Sequence, residues 1–228
     1  MEKAITSKLI HPERMTNFVL REIMSLELPI ERYSNNYHAW SYRWWLVNHL
    51  FLHEVLMPNA EKEIILQAEL SSTYRWMQTH VSDFSGMHYR HTILMLSIGE
   101  KYSNYQTVLE EELSENEGRL AKYFGHESLW HYRRNILYAL GLQIINESCE
   151  HPGVPDQIEL SNWTLSVKLQ EQKLVAHINS HLKESSKSFN NSYDEIRGLN
   201  EKLATRHLEW LEIHFNNILK RHCEKLSK

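Results

Sequence analysis

The sequence predicts an all-α protein, a right-handed α-solenoid built of helical hairpins, and three observations lead to this prediction. Glycine and proline are scarce, with 7 and 5 among 228 residues, so the turns that many short strands need are missing. One aromatic motif occurs three times at a spacing in the forties, which suits a two-helix unit. Between the motifs, apolar residues recur three and four positions apart, as they do on one face of a helix.

The composition excludes several classes of protein. Apolar residues make up 42% and charged residues 24% of the chain, which is typical of a folded soluble protein. A formal charge of −4 and a pI near 6.4 leave no basic stripe for a phosphate backbone, so no nucleic-acid partner is expected. No stretch approaches the roughly 18 apolar residues of a spanning helix, and residues 1–25 lack the apolar block of a signal peptide. We therefore expect no membrane span and a cytoplasmic location.

The repeated motif begins with a polar residue, has a bulky residue four positions later and ends in a Tyr-Arg pair. A single hairpin cannot bury its own apolar face, so such units are expected to stack. The three copies are Asn36-Tyr-His-Ala-Trp-Ser-Tyr-Arg43, Asp83-Phe-Ser-Gly-Met-His-Tyr-Arg90 and His126-Glu-Ser-Leu-Trp-His-Tyr-Arg133. Their bulky residues are Trp40, Met87 and Trp130, and their arginines are Arg43, Arg90 and Arg133.

A second helix is predicted after each of the first two motifs, from about Asn59 to Thr79 and from about Tyr105 to Tyr123. Residues near His11 to Leu28 are predicted to be the second helix of an earlier, partial hairpin. The predicted repeat units follow from these helices: a partial hairpin over 1–30, then 31–80, 81–125 and 126–147, the last of which opens the C-terminal region.

The C-terminal region is predicted to cap the stack. A loop is expected over Ser148–Asp156, which contains two prolines and a glycine, and a second over the polar run Glu184–Ser192. Helices are predicted from about Gln157 to Leu182 and from Tyr193 to Leu226, so residues 157–228 form the capping helices of a single domain, 1–228.

The motif residues are interpreted as elements of hairpin stacking. Tyr37, Trp40 and Trp44 fall on one helical face, where the rings can fill the gap between successive hairpins. An arginine beside such a face needs a carboxylate or a carbonyl on the neighbouring helix when it is partly buried. The acidic run of Glu110, Glu111, Glu112, Glu115 and Glu117 is interpreted as a solvated helix face, with a site for a basic partner as the alternative.

No metal site is predicted. His126 and His131 resemble an H-E-x-x-H motif but are five residues apart, about 140° around a helix, whereas a spacing of four places two ligands on one face. His49 and His53 have that spacing but no evident third ligand. The two cysteines are distant in sequence and form no C-x-x-C pair, so a thiolate zinc site is not indicated.

The motifs resemble the protein prenyltransferase α-subunit repeat, in which Asn or a similar residue precedes Tyr-x-x-Trp-x-x-Arg and a second helix follows. The run from Asn36 to Trp40 is the strongest instance, and the three units cover roughly residues 30 to 147. Residues 69–90 resemble one branch of the family more closely, a group associated with a third type of geranylgeranyltransferase.

The resemblance implies a non-catalytic α-type subunit, a crescent of helical hairpins around a β subunit that holds the zinc, the lipid pocket and most of the acceptor site. It implies no cofactor and no catalytic residue in this chain. A prenyl diphosphate and a cysteine-ended protein acceptor are further partners that it implies for the complex. In the family the turn that matches Asn36, Tyr37 and His38 approaches the isoprenoid diphosphate, so these three residues are predicted to form its rim. The family's active-site lysine lies one repeat earlier, and we expect no such repeat here.

Chemistry agrees with a supporting role. Transfer of a prenyl group to a cysteine needs a thiolate, usually formed on zinc, and hydrogen-bond donors that stabilise the departing diphosphate. Of these two requirements, this chain offers only the donors. Tyr37 and His38 follow the start of a helix, where their side chains could face a diphosphate or pack against the next hairpin.

Two functions are therefore considered. The first is the α-type subunit of a protein geranylgeranyltransferase-like complex, which modifies a C-terminal cysteine through its β subunit. The alternative is a helical-repeat protein-binding scaffold with no prenyl-transfer role. The repeat spacing favours the first, because tetratricopeptide units run about 34 residues with a different signature.

Overall fold

A computed structural model describes residues 12–52, 58–99, 105–150, 157–186 and 192–226, and every regular element in these ranges is a helix. The all-α fold class is confirmed, and the hairpins are those of α-solenoid repeats. The chain forms two compact units, residues 1–102 (unit 1) and residues 103–228 (unit 2), and each is described by itself. The predicted single domain of residues 1–228 stays a prediction.

Unit 1 consists of helices α1 to α5 in its described part. Helix α1 contacts α3 and α4, helix α3 contacts α5, and α4 packs along α5 as a hairpin. Their apolar faces share one core, in which Val47, Ile65 and Ile93 are fully buried. The helices are α1 (Pro12–Ser25), α2 (Glu27–Arg32), α3 (Tyr37–Leu52), α4 (Asn59–Thr79) and α5 (Phe84–Gly99).

The first predicted helix is interrupted. The sequence indicated one helix from His11 to Leu28, whereas α1 ends at Ser25 and α2 begins at Glu27. Pro29 explains the break, because proline has no amide hydrogen and its ring clashes with the carbonyl four residues earlier in a continuous helix. Residue 11 itself lies outside the described residues.

Unit 2 consists of α6 (Tyr105–Lys122), α7 (Glu127–Glu150), α8 (Gln157–Ser186) and α9 (Ser192–Leu226) in its described part. Helix α6 pairs with α7, α8 pairs with α9, and α9 also packs against α7. Leu137, Leu160, Val167, Leu211, Phe215 and Ile218 form an apolar cluster among these helices.

Two predicted loops begin too early. Helix α7 continues to Glu150, past the expected loop start at Ser148, and α8 continues to Ser186, past Glu184. A helix can reach residue 150 because Pro152 disfavours helical geometry only at the residue before it. The rest of both predicted loops lies outside the described residues. The helix from Asn59 to Thr79 has the predicted bounds, and α6 ends one residue before the predicted Tyr123.

Two motif helices are preceded by a left-handed residue. Asn35 has φ 54° and Gly125 has φ 77°, and each stands two residues before the first residue of the following helix. Asparagine and glycine are the residues that tolerate this conformation best. Asn35 also accepts a hydrogen bond from the amide of Phe84, the first residue of α5, at 2.8 Å. Within the described ranges, no helix has the length and apolar character needed to cross a membrane.

Candidate functional site

Glu69 on α4 is the centre of a buried polar cluster in unit 1. Its carboxylate accepts hydrogen bonds from Arg43 Nε at 2.7 Å and Arg43 Nη2 at 2.9 Å. The Tyr89 hydroxyl on α5 donates to the same carboxylate. The fork of two parallel bonds is the strong geometry of an arginine–carboxylate pair, so three helices are joined at one acidic side chain. Of the two expected partners for Arg43, a carboxylate or a carbonyl, the structure gives the carboxylate of Glu69.

Aromatic rings enclose this ion pair. The Arg43 guanidinium carbon lies 5.4 Å from the centre of the Trp40 ring and 5.6 Å from that of Tyr89. Burial lowers the pKa of Arg43, but the hydrogen bond and charge of Glu69 outweigh it, so the pKa lies above its usual value. Burial, and next the charge of Glu69, raise the pKa of Tyr89 well above its usual value. Arg43 is therefore charged and Tyr89 neutral at pH 7, so Glu69 accepts from one cationic and one neutral donor.

Asp83 holds the start of α5 in place. One of its carboxylate oxygens accepts from the indole N–H groups of Trp40 at 3.1 Å and Trp76 at 3.0 Å. The other accepts from the backbone amide of Gly86 at 3.0 Å, which is the pattern of a helix cap. The sequence gives no signal for the two indole bonds.

Arg90 finds a carbonyl rather than a carboxylate. Its Nη1 donates to the carbonyl of Leu70 at 2.6 Å and to the Thr73 hydroxyl at 3.0 Å, both on α4. Met87, the bulky residue of the same motif, is 3% exposed. Both side chains of this motif thus lie between α4 and α5.

A relation not noticed in the sequence links each motif tyrosine to a glutamate 20 residues earlier. Tyr42 donates to Glu22 at 3.4 Å, Tyr89 donates to Glu69, and Tyr132 donates to Glu112 at 2.6 Å. An acid at this spacing before each Tyr-Arg pair was the signal that could have revealed the hairpin contacts.

Glu112 corrects the interpretation of the acidic run. Glu110, Glu111, Glu115 and Glu117 are exposed, as expected for a solvated face. Glu112 is only 6% exposed because it faces α7 and accepts the hydrogen bond of Tyr132. Consecutive residues of a helix point in different directions, so the three adjacent glutamates cannot all lie on the solvent-exposed face. Glu112 is the one that lies against the neighbouring helix.

Unit 2 contains a second ion pair of the same kind. Arg133 donates to Glu171 on α8 through Nε at 2.6 Å and Nη2 at 2.7 Å, and its Nη1 donates to the carbonyl of Leu113 at 2.9 Å. His207 on α9 lies with its Nε2 2.9 Å from the Glu171 carboxylate. Both His207 and Glu171 are at most 2% exposed.

The environment of Glu171 favours its charged form. Burial raises the pKa of this carboxyl, but the hydrogen bonds from His207 and Arg133 and the charges of both outweigh burial and lower the pKa to about 2. The pKa of His207 is lowered, chiefly by burial. At pH 7 His207 is therefore neutral and donates to the ionised Glu171, and its charge acts on Glu171 only at lower pH, where the imidazole is protonated.

Helices α8 and α9 rebuild the arrangement of unit 1. Trp130 lies 5.1 Å from the His207 ring, as Trp40 lies 5.2 Å from the Tyr89 ring. His207 therefore takes the role of Tyr89, and Glu171 takes that of Glu69. The sequence placed these helices as a cap, and their contacts show a hairpin of the same design without the Tyr-Arg motif.

The predicted rim residues are adjacent at the start of α3, but their environments differ. The Asn36 side chain accepts from the Ala39 amide at 3.2 Å and donates to the Pro29 carbonyl at 3.1 Å, so it caps the helix. Tyr37 is 66% exposed and His38 is exposed, with their rings 5.7 Å apart. Asn36 is thus engaged as a helix cap, whereas the side chains of Tyr37 and His38 are exposed to solvent.

A cavity of about 710 Å³ lies among α6, α7 and α8 of unit 2. Its apolar lining includes Leu137, Leu140 and Trp163, and the Arg133–Glu171 pair forms part of its wall. Since the two charged groups bind each other, they stabilise the wall rather than offer a free charge to a ligand.

The structure assembles no metal site from its described residues, in which no group of three or more His, Cys, Asp or Glu side chains converges. His126 lies in contact with the Tyr123 ring at 6.3 Å, while His131 is exposed on the next turn of α7. His53, the predicted partner of His49, lies outside the described residues.

Recurring pairs of helices joined by buried Glu–Tyr and Arg contacts define a helical-repeat scaffold. The profile of the protein prenyltransferase alpha subunit repeat matches residues 19–50, 66–97 and 109–140. Each matched segment runs from the glutamate-bearing helix into the Tyr-Arg helix that it contacts, whereas the predicted units paired each motif helix with the helix after it. The chain belongs to this repeat family.

Two relatives match more than half of this chain. Human protein prenyltransferase alpha subunit repeat-containing protein 1 is 32% identical over 162 residues, 57% of this chain and 38% of the human protein. Protein prenyltransferase alpha subunit repeat-containing protein 1-B of Xenopus laevis is 28% identical over 169 residues, 60% of this chain and 37% of that protein. The match thus spans less than two-fifths of the length of either relative.

Proposed function

We propose that this chain is the α-type scaffold of a protein geranylgeranyltransferase-like complex. In this proposal a β subunit supplies the zinc, the lipid pocket and the chemistry, and the complex attaches an isoprenoid to a C-terminal cysteine of a protein acceptor. The observation that carries the proposal is the set of three matched repeats, each with its tyrosine-to-glutamate contact between paired helices.

The start of α3 supports a contribution to the diphosphate rim. A helix of 16 residues begins at Tyr37, and its N-terminal end carries a partial positive charge that attracts anions. The exposed Tyr37 hydroxyl and His38 ring stand at this end as further donors. Asn36 contributes indirectly, because its cap fixes the turn that presents them.

Co-expression with a geranylgeranyltransferase β subunit tests the proposal. We expect a stable complex that transfers labelled geranylgeranyl groups to a peptide ending in cysteine. Failure of the two chains to co-purify would refute the subunit assignment.

The rim role has its own test in the same complex. Tyr37→Phe combined with His38→Ala should raise the KM for the prenyl diphosphate several-fold without weakening the complex. His88→Ala, at an exposed histidine of α5, serves as the control and should leave the KM unchanged. Unchanged kinetics in the double variant would show that Tyr37 and His38 have no rim role.

A protein-binding scaffold without lipid transfer is the second candidate. A ring stack of Tyr42, Trp45 and His49 on α3, in which Tyr42 and Trp45 are exposed, favours it, with centroids 5.9 Å and 5.2 Å apart. Exposed aromatic surface is typical of protein interfaces. A complex with the β subunit that shows no transfer would favour this candidate.

A further inference from the structure

Residues 37–38, the exposed pair at the start of α3, lie between two attachments to one neighbouring segment. On one side of the pair, the carboxamide oxygen of Asn35 accepts a hydrogen bond from the backbone amide of Phe84 at 2.8 Å. On the other side, the indole N–H of Trp40 donates to the carboxylate of Asp83 at 3.1 Å. The pair is thus flanked by bonds to two adjacent residues, the last before α5 and the first within it.

The backbone of Asn35 belongs to the same junction. Its carbonyl accepts from the amide of Tyr37 at 2.7 Å and from the hydroxyl of Ser85 at 3.4 Å. The amide of Phe84 also lies 3.1 Å from the carbonyl of Ser82, so its bond to Asn35 is the shorter of the two. One residue therefore contacts the first residue of α3 and the first two residues of α5.

The left-handed turn alone does not require asparagine. Gly125 takes the corresponding position before α7, with φ 77°, and glycine adopts this conformation with less strain than a residue that has a Cβ. The Gly125 amide donates to the carboxamide oxygen of Asn200 on α9 at 3.4 Å. In unit 2 the carboxamide thus comes from the other helix, whereas Asn35 supplies the turn and the carboxamide together. The side chain of Asn35 is explained by its bond to α5.

Two attachments fix an orientation that a single one leaves free. Asn36 shapes the turn by binding the Ala39 amide and the Pro29 carbonyl, but these bonds do not join the turn to α5. With the bond from Trp40 alone, the turn before it can rotate about that one attachment. Asn35 supplies the second attachment, and donors that bind a ligand need such support because they must stay within about 0.5 Å of their productive positions.

We propose that Asn35 is a positioning residue for the diphosphate rim, an inference that rests on the proposed function. Its carboxamide holds the turn before α3 against the start of α5, so that the Tyr37 hydroxyl and the His38 ring are presented to the diphosphate together. Asn35 acts through these two side chains and does not touch the ligand itself.

Asn35→Gly tests the role in the complex with a geranylgeranyltransferase β subunit. The variant keeps the left-handed turn and removes the acceptor, so it should raise the KM for the prenyl diphosphate about fivefold with little change in kcat. Ser34→Gly is the matched control, because it places a glycine at an exposed position of the same turn and leaves the bond to Phe84 intact. An unchanged KM in Asn35→Gly, or an equal rise in Ser34→Gly, would overturn the proposal.

A second comparison shows whether Asn35 acts through the rim. In a chain that already carries Tyr37→Phe and His38→Ala, Asn35→Gly should raise the KM no further, because the groups that it positions are gone. A rise of the same size in both backgrounds would assign to Asn35 an effect independent of the rim and would contradict the positioning role.

The chain without its partner tests the junction separately. Exchange of the Phe84 amide hydrogen, followed by NMR, should become faster in Asn35→Gly but not in Asn35→Asp, which keeps an acceptor oxygen. Asn35→Asp is used only here, because its charge would repel a diphosphate. Unchanged exchange in Asn35→Gly would overturn the proposal whether or not a complex forms. Faster exchange in a chain that forms no active complex would support the junction and refute the proposed function.

Discussion

Replacing Glu171 with glutamine should destabilise unit 2 strongly at neutral pH. The pKa of Glu171 is lowered from 4.5 to about 2 in the folded protein. Because one pKa unit corresponds to about 1.4 kcal/mol, the ionised carboxylate contributes about 3 kcal/mol to the free energy of unfolding at pH 7. Breaking one buried ion pair costs a similar amount, about 3 to 5 kcal/mol. Glutamine keeps the shape of the side chain but opposes an NH₂ group to the Arg133 guanidinium.

The pH dependence tests the electrostatic origin of this effect. The folded pKa of Glu171 is depressed, so its contribution is present above about pH 4.5 and is lost as the pH falls towards 2. The free energy of unfolding of Glu171→Gln should therefore be about 3 kcal/mol lower than that of the unchanged chain at pH 7, and this difference should shrink steadily below pH 4.5. Urea unfolding followed by circular dichroism at a series of pH values measures it.

The control for this experiment is Glu209→Gln, at an exposed position of α9. It should change stability by less than about 0.5 kcal/mol, as surface substitutions usually do. A difference in free energy of unfolding below about 1 kcal/mol at pH 7 between the unchanged chain and Glu171→Gln would refute the reasoning. A difference that stays constant down to pH 2 would refute it as well.

Three further predictions concern other contacts. Asp83→Ala should lower the free energy of unfolding by about 2 to 4 kcal/mol, because it removes a helix cap and takes the acceptor from the buried indole N–H of Trp40 and the part-buried one of Trp76. A loss below about 1 kcal/mol in urea unfolding would contradict this. Gly118→Ala should raise the melting temperature, because alanine has a higher helix propensity than glycine and the added Cβ meets nothing within 4 Å. Gly86→Ala should lower the melting temperature, because its Cβ would lie 3.0 Å from the Trp76 ring. Equal shifts in the two variants would exclude the packing argument. His207 has a lowered pKa, so unfolding takes up a proton and the free energy of unfolding should fall as the pH drops below 6.5, by up to about 1.4 kcal/mol per pH unit. In His207→Asn this slope, measured between pH 7 and 5.5, should disappear. A slope that persists in the variant would assign the titration to another group.

The buried clusters explain why the repeats are specific rather than merely apolar. A core of leucines alone would let one helix slide along another, whereas each Glu–Arg fork fits at one register. Glu69 fixes three helices of unit 1 in this way, and Glu171 does the same in unit 2. The scaffold thereby holds the start of α3, where Tyr37 and His38 are exposed, in a defined position.

Much of the site follows from the sequence because the repeat is local. Spacing and charge alone predict the motif helices, the helix from Asn59 to Thr79 and the need of Arg43 for a polar partner. Helix periodicity and arginine chemistry depend on residues close in sequence, so the pattern suffices. The sequence also contains a glutamate 20 residues before each motif tyrosine, which is a signal for the contact between the two helices of a hairpin.

The amino-acid sequence by itself therefore determined the all-α class, the repeat and its family. Only the tertiary structure decided which carboxylate or carbonyl each motif arginine meets, that Glu112 is buried, and that His207 on α9 takes the place of a tyrosine. The physical reason is that these outcomes depend on packing between helices that are distant in the chain, and no local periodicity records which faces meet.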